Sequence, residues 1–117
     1  MAMMEKWLNA EFESSCSETL QFREFVKDYK KTLKAILFDK YEIVEFHKMH
    51  FEFSAFIKNR FTGKLVYLAI SDVRFWGNNW YNNILIRTAK DTKDFTGGSN
   101  NYIELNNLIT GLDRLSG

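Results

Sequence analysis

A change of hydrophobic period near residue 39 limits the fold of this chain more than any other feature. Phe22, Phe25, Val26, Tyr29, Leu33, Ile36 and Leu37 recur at helical spacing and form one apolar stripe. Arg23, Lys27, Lys30, Lys31 and Lys34 occupy the opposite side. Ser15 and Glu18 have the spacing of a capping box, which places the helix start there. After Asp39 the pattern alternates, and residues 41–46 read as a first strand. In KMHFEFSAFIK, Met49, Phe51, Phe53, Ala55 and Ile57 face one way, while Lys48, His50, Glu52, Ser54 and Lys58 face the other. Phe56 alone breaks that alternation.

NRFTGK then supplies a turn, LVYLAISD a returning strand and NILIRTAK a fourth strand. DTKDFTGGSNN reads as a loop. Asn101 as N-cap, with Glu104 at the third helical position, opens a closing helix whose buried side is Leu105, Leu108, Ile109, Leu112 and Leu115. Gly111 inside it weakens the helix by about 1 kcal/mol against alanine. Met4, Trp7 and Leu8 suit a short extra turn over one end of the core. The expected architecture is a single α+β domain over 1–117: N-terminal helix, four-stranded antiparallel meander and C-terminal helix, with both helices on one sheet face.

Totals narrow the function. At 117 residues the chain can bury one core without staples, and its 11 phenylalanines make that core aromatic. A formal charge of +1 excludes a highly basic nucleic-acid binder and an acidic mimic of DNA alike. Cys16 is the only cysteine, so no internal disulfide forms and a reducing, cytoplasmic setting is expected. No apolar run has the roughly 20 residues of a membrane span, and the N-terminus lacks a signal-peptide core, so no membrane partner and no export are expected.

Catalytic chemistry finds little support. His47 and His50, with Glu45 and Glu52 nearby, are three apart and would point to opposite faces of a strand, so no metal site is expected. Cys16 lies at the expected helix start, where the dipole favours a thiolate, yet no histidine is placed beside it by the sequence. Lys48, Glu52 and Asp72 assemble into a nuclease-like set only on paper. Neither the nucleophile elbow, the phosphate-binding loop nor the dinucleotide fingerprint occurs. The chain therefore reads as a non-enzyme without a cofactor.

Binding is the stronger reading. In FWGNNWYNN, residues 75–83, aromatics stand among four asparagines. Amides are costly to bury without partners, so they face water or a ligand and draw their aromatic neighbours outward. Trp76, Trp80 and Tyr81 are then the anchors of a partner-binding surface, and Asn78, Asn79, Asn82 and Asn83 its adaptable hydrogen-bonding groups. A structured turn at the end of the sheet is the competing reading. The alternative partner is nucleic acid, held by Lys27, Lys30, Lys34, Arg74 and Arg87 with aromatics for base stacking. Acidic residues balance the basic ones almost one for one, which favours a merely solvated lysine face.

The run VRFWGNNWYNNILIRTAKDTKDFTGGSNNYIELNNL, about the last third of the chain, resembles segments of small accessory proteins of Gram-positive phages and conjugative elements. That resemblance implies an accessory role on a mobile element, and such elements use small proteins to disable host defences, CRISPR nucleases included. The expected function is thus a small non-enzymatic protein-binding accessory protein of a phage or mobile element, with host-defence (anti-CRISPR-type) inhibition by protein–protein binding as one form of it. The partner is a host or element-encoded protein. Oligomeric state stays open, since an edge strand or the Trp-rich loop would also serve a twofold homodimer.

Overall fold

The computed structural model describes residues 2–8, 20–49, 52–71, 73 and 79–117. A short helix α1 (Ala2–Glu5) precedes the long helix α2 (Leu20–Leu37). Five strands follow: β1 (Tyr41–Lys48), β2 (Phe53–Asn59), β3 (Leu65–Ile70), β4 (Ile84–Ala89) and β5 (Asn101–Ile103). A helical turn α3 (Asn79–Asn82) lies between β3 and β4, and a 3-10 turn (Leu105–Asn107) leads into α4 (Leu108–Ser116). The class is α+β, with a helix before and a helix after an antiparallel sheet of order β1-β2-β3-β4-β5.

The apolar stripe of the sequence is the buried face of α2, where Phe22, Phe25, Tyr29, Leu33 and Leu37 pack inward. Phe25 sits at the hub. Its ring lies 5.4 Å from Trp7, 5.8 Å from Tyr29, 6.2 Å from Phe53 and 5.7 Å from Trp80, centroid to centroid. The helix-facing side of the sheet continues through Ile57, Val66, Leu68 and Ile86 to Leu108 and Leu112 of α4, so both long helices cover one face. Such edge-to-face and tilted aromatic contacts add about 0.5–1.5 kcal/mol per pair beyond the area they bury. The Ser15–Glu18 capping box lies outside the described residues.

Several boundaries differ from expectation. β1 extends to Lys48 and β2 starts at Phe53, with the N–H of Met49 donating to the Glu52 carbonyl at 2.9 Å, so the alternation pattern spans the end of one strand and the start of the next. Asn101 is no N-cap: it pairs with Ile86 in a fifth strand, and Glu104 makes no side-chain cap for the turn that follows. Gly111 has a packing role the helix scale does not contain. A Cβ there would stand 2.7 Å from Ile86 Cδ1 and 3.0 Å from Ile103 Cδ1, so glycine lets α4 settle against the sheet.

Phe56, the exception in the alternation, belongs to a second cluster on the far face of the sheet. Its ring meets Tyr67 at 5.2 Å and Phe95 at 5.3 Å, and His47 closes the group 5.7 Å from Phe95. The segment expected to be a plain loop therefore folds over the sheet. Asp94 organises it, accepting hydrogen bonds from the N–H groups of Lys90 at 3.0 Å and Gly97 at 2.8 Å. Gly98 turns back with φ +75°, and a Cβ at that position would lie 2.8 Å from the Thr88 carbonyl oxygen.

Candidate functional site

The residues expected to form a contact loop divide in the structure. Trp80 is 1% exposed, a core residue, and the Tyr29 hydroxyl donates to its carbonyl at 3.0 Å. The expectation of a surface anchor at Trp80 is corrected. A helical turn sends neighbouring side chains in different directions, so Asn82 and Asn83 stay exposed while Trp80 points inward. Tyr81 is half-buried, packed 5.6 Å from Trp80, with its hydroxyl accepting from Asn106 Nδ2 at 2.6 Å. Asn79 contributes backbone to α3. Trp76, Asn78 and Arg74 lie outside the described residues, as do Cys16, His50 and Asp72.

The basic set is likewise divided. Lys27 and Lys34 are exposed on α2, while Lys30 holds its ammonium 5.1 Å from the centre of the Phe46 ring. Arg87 is a correction: it is 2% exposed and lies on the sheet face opposite the helices. Its guanidinium covers the Tyr67 ring at 4.3 Å and donates to the carbonyls of Asp94 at 2.6 Å and Thr88 at 3.1 Å, with Asp94 Oδ1 3.9 Å away. It is an internal brace, not a phosphate ligand. His47 pairs with Glu45 at 3.1 Å, and no group of three metal-binding side chains occurs among the described residues.

A different surface stands out at the end of the sheet where α2 turns into β1. Phe38 is 77% exposed and Phe61 79% exposed. Phe38 occupies the position just past α2 with φ +48°, a conformation usually left to glycine and costing about 1 kcal/mol or more for a residue with a Cβ. Its N–H donates to the Lys34 carbonyl at 3.1 Å, completing the helix end. Phe61 stands on the β2–β3 turn. The two turns are tied together, since the Arg60 N–H donates to the Lys40 carbonyl at 2.9 Å. Between α2 and β1 lies a cavity of about 250 Å³ lined by Lys34, Leu37, Phe38, Tyr41, Glu42, Ile43 and Arg60.

Buried polar groups hold this end rigid. Asn59, 1% exposed, accepts at Oδ1 from the N–H groups of Phe61 at 2.9 Å and Thr62 at 3.2 Å. Its Nδ2 donates to the Ser116 carbonyl at 3.2 Å and hydroxyl at 3.1 Å, fastening the Phe61 turn to the end of α4. Asp113 accepts from Lys40 at 2.8 Å and from the Tyr41 hydroxyl. Sequence reasoning assigned the phenylalanines to the core and so missed Phe38 and Phe61. The available signal was position: both lie in turns, where nothing demands an aromatic ring.

The same contacts define a pH dependence. Hydrogen bonds from Lys40 and then Tyr41 hold the Asp113 carboxyl below its ordinary range. The Trp7 indole, donating at 3.1 Å, and Lys6, paired at 3.0 Å, do the same for Asp28 and strap α1 to α2. A carboxyl with a depressed pKa holds fewer protons folded than unfolded. Its contribution is thus complete above the unfolded value of about 4 and is lost as pH falls through the folded one. Thermal melts should show a midpoint that is level above about pH 5 with respect to these groups and falls below about pH 4. Asp28→Asn and Asp113→Asn should each flatten the acid limb; unchanged limbs would refute the assignment.

Comparison with family models, curated proteins and solved structures returned no match to this chain.

Proposed function

We propose that the chain is a small non-enzymatic protein-binding accessory protein, and that it docks through the end of the sheet bearing Phe38 and Phe61. The observation that carries this reading is Phe38 itself. A large aromatic is kept in a left-handed conformation and in water, at a site where glycine would relieve the strain and no ring would be missed by the core. Phe61 on the adjoining turn makes a pair, and exposed aromatics on a rigid support are the usual anchors of protein contacts. The resemblance of the last third to accessory proteins of Gram-positive phages and conjugative elements supports a mobile-element setting, with inhibition of a host-defence protein as the finer proposal.

The test separates contact from stability. Phe38→Gly should raise stability by about 1 kcal/mol by relieving the positive φ, and Phe61→Ala should leave it within about 0.5 kcal/mol. Both should abolish capture of a nuclease-resistant protein partner from a Gram-positive lysate. Variants that still capture every partner of the wild type would overturn the reading. Tryptophan substitutions are unsuitable for this purpose, because Trp80 is part of the core.

A further inference from the structure

We infer that the Phe38–Phe61 end takes an extended acidic peptide segment of its partner, added as a strand along the open edge of β1 with one bulky apolar side chain in the 250 Å³ cavity. This deepens the proposed protein-binding role and rests on it. Three observations converge on that occupant. First, β1 is the outermost strand, so one side of its backbone has no strand partner among the described residues. The Arg60 N–H bonds to the Lys40 carbonyl, and backbone groups alternate in direction along an antiparallel ladder. Tyr41 and Ile43 therefore turn their N–H and C=O groups away from β2, toward the open edge. The register with β2 slips between Ile43 and Glu45 and is regular again from Glu45 to Lys48, so residues 41–43 form one unbroken run beside the cavity.

Second, the cavity lining combines the apolar side chains of Leu37, Phe38 and Ile43 and the Tyr41 ring with Lys34 and Arg60 and a single acid, Glu42. Strand addition supplies affinity through the main chain, and alternate side chains supply selectivity through such a pocket. Third, the charge is lopsided. Arg60 is within 3.6 Å of Glu42, and Lys40 is held by Asp113. Lys34 and the exposed Lys64 make no ion pair among the described residues, and set against the exposed Asp39 they leave a net positive charge beside the aromatic pair. A second copy of this end would bring those lysines against lysines. An acidic strand answers them. Nucleic acid would satisfy the charge but uses neither the apolar lining residues nor the strand edge.

The experiment is selection of a random dodecapeptide display library on the full chain, followed by binding of the enriched synthetic peptides. Expected peptides carry excess Asp and Glu around one Leu, Phe or Ile, and bind more weakly as salt rises. Lys34→Glu and Lys64→Glu should each weaken them by roughly threefold to fivefold, and Phe38→Gly should remove binding. In hydrogen exchange, the Tyr41 and Ile43 amides should gain protection in the complex. Enriched peptides that need Phe38 and Phe61 but are neutral or basic would overturn this inference while leaving the protein-binding reading in place. Peptides insensitive to both aromatics, or no enrichment at all, would overturn this inference, while the protein-binding reading stands or falls on the lysate capture. An oligothymidine 20-mer that displaces the peptides at moderate salt and binds in their place would shift the surface to nucleic acid and also refute the inference.

Discussion

Trp80→Ala should lower the stability of this protein by about 3–5 kcal/mol, the cost of deleting a large aromatic from a packed core. The ring is 1% exposed and touches Phe25 at 5.7 Å and Tyr29 at 6.2 Å. Its ring also packs on Tyr81 at 5.6 Å, so collapse around the void would have to move α2 and α3 together. A loss of that size is a large share of the 5–15 kcal/mol typical of a small domain. Chemical denaturation followed by circular dichroism measures it directly. A change below about 1 kcal/mol would mean that Trp80 is not packed as described. The companion Tyr29→Phe, which keeps the ring and leaves the Trp80 carbonyl without its donor, isolates the hydrogen bond.

Arg87→Ala ranks second, with an expected loss of about 3 kcal/mol. The substitution removes a buried cation from the Tyr67 ring and leaves two carbonyls, those of Thr88 and Asp94, without their donors. The Asp94 carboxylate loses its nearest cation at the same time. The segment from Lys90 to Gly98 should detach from the sheet as a unit, exposing Phe56 and the covered half of Phe95. Hydrogen exchange would then show lost protection at the Lys90 and Gly97 amides, which Asp94 now holds. Protection that survives the substitution would show that Asp94 organises the segment without its guanidinium. Arg87→Lys should recover little, because an ammonium cannot span both carbonyls while stacking on the ring.

These two side chains also show where sequence reading succeeds and where it stops. Helix, antiparallel sheet, helix was legible, because a stripe at 3.6 residues and an alternation at two each imply one geometry. The fifth strand was not, since Asn101–Ile103 is short and polar enough to pass for a helix cap; it becomes a strand by pairing with β4. Trp80 was misjudged because its asparagine neighbours were taken to set the exposure of the whole stretch, whereas a single helical turn sorts residues by direction. Arg87 was misjudged because a lone arginine in a strand looks solvated until a distant loop folds over it. Local pattern reports local geometry. It does not report what covers the second face of a sheet.

The site was harder still. Phe38 and Phe61 carry no periodic signal, and aromatic content alone assigned them inward. Only the fold places the two turns side by side and shows the left-handed backbone at Phe38.

Asn59 has a consequence for recognition at that end. One amide accepts from the Phe61 turn on one side and grips the last residues of α4 on the other. The turn has therefore surrendered its conformational freedom before any encounter takes place. A partner meets a finished contour instead of a pliant loop, so little ordering opposes association. Discrimination there is a matter of steric fit: a binding partner must match the contour as it stands, because the turn has no alternative shape to offer.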